Sequence, residues 1–485
     1  MRVNQQVNHT VQFHLLSEEQ LEEVYRAALH LMEYTGLDVH NAEARALLSG
    51  VGAWVDGVRV RLPSSVVEKA LGSAPRSFTV FSRESDSSKD LHIGPGRFHY
   101  GPGPTCPNFM DPRTGEVRTY TRADARAVAT VCDALPNIDF VESLGTVSDV
   151  PPAVGDVHEF AEMIAHTGKP IVAWSYAMEG CRDIHRMAVA VAGGDDASVR
   201  RPNYIFYCEP LSPLVSSKEA MDKVLYCAQH RVPLIFTPCV IGGGTGPSTM
   251  AGIIAQAAAE SWLGLVVSQQ LSPGTPFCMG GVVSCMDMKT MTFAYGAPEL
   301  SLLQAGLTEL AHYVGLPLWT TGGCSDSKVV DEQAAIEGAL SVLFATFSGG
   351  DLCHDLGYVE SAMTGSLQQL VTMDEAIGYV KRIARGIEVN PDTLAVNVID
   401  EVGPGGNYLT EAHTLAHFRR EFWLPSLMDR QRRETWEDRG RATMGGRAQA
   451  RLTELLASHE PTPLPQEATD SIERVLTAAN ARAEH

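Results

Sequence analysis

The sequence predicts an α/β protein: a (β/α)8 TIM barrel over residues 96–385, an N-terminal α+β cap over 1–95 and a C-terminal extension with a helical tail over 386–485. Three observations predict it. Short apolar runs recur that end in polar, Gly or Cys residues, segments of helical periodicity lie between them, and the runs number eight. Strands alternating with helices argue for parallel βαβ units, and eight units suit a closed barrel better than an open sheet.

The runs are Arg97–Gly101, Ile138–Gly145, Ile171–Tyr176, Tyr204–Glu209, Leu234–Cys239, Pro276–Gly281, Leu318–Gly323 and Asp351–Asp355. Helical spacing is clearest at Val157–His166, Ser217–His230, Thr249–Leu271, Pro298–Val314 and Asp331–Phe347. In the cap, Ser17 to about Leu48 reads as one amphipathic helix opened by a Ser17/Gln20 capping box. A hairpin turning at Asp56-Gly57, a helix at Ser64–Leu71 and a strand at Phe78–Phe81 follow. Beyond the barrel, Met373–Arg385 and Thr410–Pro425 have helical spacing, and a Pro-containing linker at Ser458–Glu467 precedes a last helix.

A formal charge of -20 argues against nucleic acid, which needs a basic face. No apolar run is expected to span a bilayer, and the first twenty residues lack the apolar core of a secretory leader, so a cytoplasmic location is expected. The ten cysteines form no CxxC pair. Scattered cysteines of this kind are usually reduced core residues, but Cys208, Cys239, Cys278, Cys324 and Cys353 fall near strand ends, where a thiolate metal site has to be weighed.

Parallel barrels bind ligands at the carboxyl ends of their strands. The stretch Pro317–Gln333 (PLWTTGGCSDSKVVDEQ) is such a junction, a strand ending in small and polar residues before a helix. Gly322, Gly323, Ser325 and Asp326 are candidates for receiving an anionic group on a helix N-terminus, with Ser325 or Asp326 as a plain helix cap the alternative. Lys328 would neutralise a carboxylate or form a Schiff base, or else stand in solvent. Gly242–Gly246 (GGGTG) lacks the lysine of a phosphate loop. Glu209 and Asp351 add negative potential or merely end strands.

Several segments, in this order, resemble the trimethylamine methyltransferase family, in the branch without pyrrolysine that includes glycine betaine methyltransferases. They are residues 14–39 (HLLSEEQLEEVYRAALHLMEYTGLDV), 60–75 (VRLPSSVVEKALGSAP), 108–118 (NFMDPRTGEVR), 322–340 (GGCSDSKVVDEQAAIEGAL), 409–419 (LTEAHTLAHFR) and 422–430 (FWLPSLMDR). The resemblance implies a barrel that moves a methyl group from a methylated amine to the Co(I) corrinoid (cobalamin) of a separate protein, or to free cobalamin. It implies a homo-oligomer and no metal held by this chain. In members acting on trimethylamine, pyrrolysine stands in the region matching 322–330. Here only GGCSDSKVV is found, which points away from trimethylamine and towards a quaternary amine, glycine betaine or a related betaine.

A quaternary ammonium leaves as a neutral tertiary amine, so its demethylation requires positioning more than any covalent adduct. No residue is therefore assigned bond-making chemistry. A trimethylammonium head has no N–H donor, and aromatic faces hold it at about 0.5–2 kcal/mol each. Phe98, Tyr100, Trp174, Tyr176, Tyr207, Trp319 and Tyr358 are the candidate rings, each with ordinary packing as its alternative, and Tyr100 is favoured because HYGPG suggests a shaped loop. His354 would bind a substrate carboxylate or brace a ring, with Asp355 orienting it or capping a turn. Three other readings remain open: a zinc-dependent methyltransferase acting on a thiol or alcohol, a non-catalytic quaternary-ammonium-binding barrel, and a Schiff-base aldolase using Lys328.

Overall fold

The structure, a computed structural model, describes residues 12–84 and 86–484. Part of the amino terminus read for a leader lies outside them. At its centre is a curled sheet of seven parallel strands in the order His99–Pro102, Leu352–Leu356, Leu318–Thr321, Phe277–Gly280, Leu234–Phe236, Tyr204–Cys208 and Ile171–Ala173. Each matches a predicted run. These segments read as continuous apolar stretches because parallel strands are covered on both faces. The remaining run, Ile138–Gly145, forms no regular strand. Val141 makes a single parallel bridge to Ile171. At the opposite edge the Asp139 and Phe140 N–H groups donate to the Tyr100 carbonyl at 2.7 and 3.3 Å. The run leaves extended geometry at Leu144, whose φ is 64°.

Side chains alternate across each strand, so every second residue faces the concave interior. Phe140, Val172, Trp174, Ile205, Tyr207, Ile235, Cys278, Trp319 and Leu352 pack there as one buried cluster with Val80, Leu91 and Ile93. The last three come from the hairpin Phe78–Val80/Leu91–Ile93. His99, at the start of its strand, bonds to the His92 carbonyl through Nε2 at 3.0 Å, which seats that hairpin at the amino end of the sheet. The interior is thus plugged with hydrocarbon at one end, and polar groups concentrate at the other.

The predicted helices Gly155–Ala165, Lys218–His230, Met250–Leu271, Pro298–Tyr313 and Glu332–Phe347 are present. Met250–Leu271 corrects the expectation about apolar runs: by length and composition it would cross a bilayer. It is a core helix instead, buried on nearly every side, and helices Glu18–His30 and Ser64–Ser73 pack against it.

The cap corrects the single helix expected over 17–48. The Ser17/Gln20 capping box opens Glu18–His30, but one π-helical turn, Leu31–Thr35, ends at Gly36 with φ 77°. The strand Leu37–Val39 follows, and then the helix Ala42–Gly50. A side chain at Gly36 would meet the Val60 carbonyl at 2.6 Å, so the break lets the chain pass close to the hairpin Trp54–Asp56/Arg59–Arg61. After the barrel, Leu367–Ala384 packs against Met444–Ser458, and Gln466–Ala483 lies along Met178–Ala192.

Candidate active site at the carboxyl ends of the strands

The interior alternation carries Phe140 on to Glu142, Val172 to Trp174, Ile205 to Tyr207 and then Glu209, and Leu352 to His354. These residues form the layer above the hydrocarbon core. Trp319 lies beneath it. Its ring stacks on His354 at 4.3 Å between centroids and meets Phe140 at 5.4 Å and Tyr207 at 6.1 Å. His354 Nε2 shares a hydrogen bond with Thr321 Oγ1 at 3.2 Å. Its Nδ1 lies 2.8 Å from Asp355 Oδ1 as an ion-pair contact out of hydrogen-bond alignment.

Asp355 breaks the alternation. At φ 71° it sits in the left-handed region, which for a residue other than glycine often marks function. That twist turns its side chain towards Gly103, where a Cβ would meet Asp355 Oδ1 at 2.3 Å and the Tyr358 ring at 2.4 Å. Gly101 likewise makes room for Phe140, 2.3 Å from where its Cβ would stand. The glycines of HYGPG therefore exist to admit neighbouring side chains. The Thr105 N–H donates to the Tyr358 hydroxyl at 3.1 Å.

Carboxylates collect around this layer with few partners. Both oxygens of Glu142, Oδ2 of Asp355 and Oε2 of Glu159 are buried and accept no hydrogen bond, and Trp319 Nε1 donates none. Burial raises the Glu142 carboxyl well above its ordinary value, and the charges of Asp355, Glu159 and Glu209 push the same way. Burial also raises Glu159, while Glu209 stands exposed at the mouth. Trp174 Nε1 donates to Glu159 Oε1 at 2.8 Å, and the Tyr207 hydroxyl donates to Glu209. Unsatisfied buried groups are rare in folded proteins, and clusters of them with shifted pKa values favour functional sites.

At this end of the sheet lies a cavity of about 800 Å³, lined in part by Trp174, Tyr176, Tyr207, Glu209 and Lys223. Trp174 and Tyr176 meet edge to face at 4.6 Å. Of the predicted rings, Trp174, Tyr176 and Tyr207 come together in this cavity, Trp319 stacks on His354 deeper in the interior and touches Tyr207, and Tyr358 stands beside Asp355.

Two rings lie elsewhere. Tyr100 faces away from the interior: its hydroxyl bonds to Thr346 Oγ1 on the covering helix at 2.7 Å, and Lys381 Nζ stands 5.1 Å over its ring. Phe98 precedes its strand and belongs to the amino end. Asp351 is also at that end, accepting from Leu318 N at 2.8 Å and bonded to His312 Nε2 at 2.9 Å.

The loop after Leu318–Thr321 uses its polar groups internally. Gly322 N–H donates to the His354 carbonyl at 3.0 Å and Gly323 N–H to Ser341 Oγ at 2.9 Å. Ser325 donates to Glu337 at 2.6 Å. Asp326 accepts from Tyr295 N and Gly296 N at 2.9 Å and from Ser361 Oγ at 2.7 Å. The helix cap is Asp331, correcting the choice of Ser325 or Asp326. Lys328 reaches only the Asp326 carbonyl, on the surface.

The strand-end cysteines are buried or half-buried free thiols. Burial pushes all five up, Cys208 and Cys239 to about 12. Among the described residues they join no group of three ligands. The one such group, Asp392, His413 and His417, lies in the extension. Sequence reasoning missed Glu142, Glu159 and Lys223. For Glu142 a signal existed, since it stands two residues beyond inward-facing Phe140.

The curled parallel sheet is a fold this chain shares with a solved methylamine methyltransferase. The crystal structure of monomethylamine methyltransferase from Methanosarcina barkeri aligns with a TM-score of 0.52 over 98% of this chain and 90% of its own. At 10% identity that likeness bears on the fold alone. The chain belongs to the trimethylamine methyltransferase family, whose model matches residues 1–481. It is 32% identical over 467 residues to a trimethylamine methyltransferase of Desulfitobacterium hafniense, covering 95% of this chain and 92% of that one. It is 29% identical over 459 residues to a glycine betaine methyltransferase from the same species, covering 94% and 95%.

Proposed function

We propose that this chain removes a methyl group from a quaternary amine, glycine betaine or a related betaine, and delivers it to the Co(I) corrinoid of a partner protein. The observation that carries the reading is the cavity lined by Trp174, Tyr176 and Tyr207, two of which are bonded to the carboxylates of Glu159 and Glu209. A trimethylammonium group offers no hydrogen to donate and is held by ring faces and negative potential. Each desolvated ring contributes about 0.5–2 kcal/mol. Relatives named for trimethylamine and for glycine betaine support the same class of substrate.

The chain's own residues bind, orient and exclude water. Trp174 and Tyr207 hold the cation, each steadied by its bond to a glutamate, and Glu209 stands on the cavity wall beside them. The docked corrinoid would supply the nucleophile. Gly243 and Gly244, exposed in the turn after the strand Cys239–Gly242, present bare backbone at the rim, which fits the approach of a flat macrocycle. No proton has to be placed, because the leaving amine is neutral.

In this reading Ile138–Gly145, touching both edges of the sheet, is the eighth stave of a closed (β/α)8 barrel. Residues 1–95, 96–385 and 386–485 are then cap, catalytic barrel and extension. Exposed Ile387, Leu409 and Phe422 suit the extension to a homo-oligomer.

The test is to mix the purified protein with Co(I) cobalamin and a panel of quaternary amines and follow the absorbance change on cobalt methylation. Transfer from at least one betaine, and faster than from trimethylamine, is expected. Silence across the whole panel overturns the reading, and calorimetric binding without transfer would identify a binding protein instead.

A further inference from the structure

We infer that Lys223 is the specificity-determining residue of this pocket, receiving the carboxylate of a zwitterionic substrate whose ammonium lies against the rings. The inference rests on the proposed reaction and adds the polarity of the site to it. The cavity has two charged ends. Glu209, bonded to Tyr207, marks the cationic-ligand end, and Lys223, on the outer helix Lys218–His230, reaches the same cavity.

Lys223 is buried, yet its one hydrogen bond is to the Ser175 carbonyl at 2.6 Å. An ammonium carries three donors, so two remain to be used. Among the described residues it forms no ion pair, although its charge is felt by Glu209 and Asp156. A buried ammonium without a counter-ion is costly unless something anionic completes it.

The other groups suited to an anion are already used. The helix N-terminus at Glu332 is capped by Asp331, and Asp326 and Glu337 take up the loop donors. Lys328 is turned to the surface. The carboxylates Glu142, Glu159, Glu209 and Asp355 would repel a substrate carboxylate. Only at Lys223 does this mouth, among the described residues, offer unspent positive charge beside the rings. A betaine laid between Tyr207 and Lys223 meets opposite charge at both ends.

The experiment compares kcat/KM for glycine betaine and longer trimethylammonio carboxylates with that for tetramethylammonium and choline, which have no carboxylate, in wild type, Lys223→Met, Lys223→Gln and Lys223→Arg. Losing a charge-assisted bond is expected to lower turnover of the carboxylate substrates by about 10- to 100-fold. Tetramethylammonium should change little, and Lys223→Arg should restore part of the loss. A merely structural lysine would lower all substrates alike. An unchanged ratio of betaine to tetramethylammonium in both the Met and Gln variants overturns the inference while leaving the proposed reaction standing. If wild type demethylates nothing in the panel, the reaction itself is wrong and this assignment falls with it.

Discussion

At the end of the Leu318–Thr321 strand, the loop through Asp331 satisfies its polar atoms one by one, whereas elsewhere at the same mouth Glu142 and Asp355 are left with bare oxygens. Asp326 accepts three hydrogen bonds, and Glu337 accepts from Ser325, Asp326 N and Gln333. Glu142, wholly buried, accepts none. Both stretches follow apolar strands and both are rich in oxygen, so composition does not separate them. What separates them is whether each oxygen's partner is supplied by folding. Folding supplies the partners of the loop's oxygens and leaves those of Glu142 without any.

The largest effect that would test this contrast is expected in the loop. Asp326→Ala strands two backbone donors and one hydroxyl, at a cost of about 3 kcal/mol for three lost bonds. Denaturant unfolding should report a lower midpoint with an unchanged slope. KM for a quaternary amine should hold in whatever fraction remains folded. A rise in KM larger than the loss of stability would move Asp326 into the site and blur the comparison.

Glu142→Gln should act in the opposite direction. Folding favours the neutral form of this carboxyl, because burial raises it well above 4.5. Its contribution to stability is therefore complete below about 4.5 and lost as pH rises through the raised value. Once ionised, the group is a burden, and there the amide should stabilise the fold by about 1–2 kcal/mol while weakening cation binding. Thermal melts from pH 4.5 to 8 should show the gain growing with pH. Wild-type affinity for the quaternary amine should rise as Glu142 ionises. A variant that is less stable at pH 7 would mean that Glu142 has a partner that folding supplies.

How much of this was legible in advance follows from which residues obey the alternation. The seven strands stood out as apolar runs, and with Phe140, Val172 and Ile205 facing inward the rule delivers Glu142, Trp174 and Tyr207 to the mouth. It also turns Tyr100 outward once Gly101 and Gly103 are seen to face inward, so the favoured ring was excluded by the glycines that drew attention to it. Asp355 was beyond such reasoning, because its left-handed backbone breaks the period. Lys223 and Glu159 arrive from helices outside the sheet, and only tertiary packing brings Lys223 to the cavity and Glu159 to Trp174. Which oxygens go unpaired was equally hidden, since Asp326 and Glu142 differ in their neighbours and hardly at all in their local sequence character.

Tyr100→Phe gives the smallest and sharpest test, because it sets the outer face of a strand against the inner face of the same sheet. The hydroxyl lies between sheet and helix, bonded to Thr346 Oγ1, and that Thr346 hydroxyl also donates to the Val342 carbonyl at 2.7 Å. Removing the phenol oxygen leaves Thr346 with a partner, so the cost should be about 0.5–1.5 kcal/mol, the net worth of one neutral hydrogen bond. The ring itself stays packed, and Lys381 keeps its place over it. Kinetics with a quaternary amine should be those of wild type in both kcat and KM. Tyr207→Phe, five strands along the same sheet and on its inner face, removes the same atom but frees Glu209 from its one hydrogen bond and should shift KM. Equal effects from the two substitutions would erase the distinction between the faces on which the placement of the site depends.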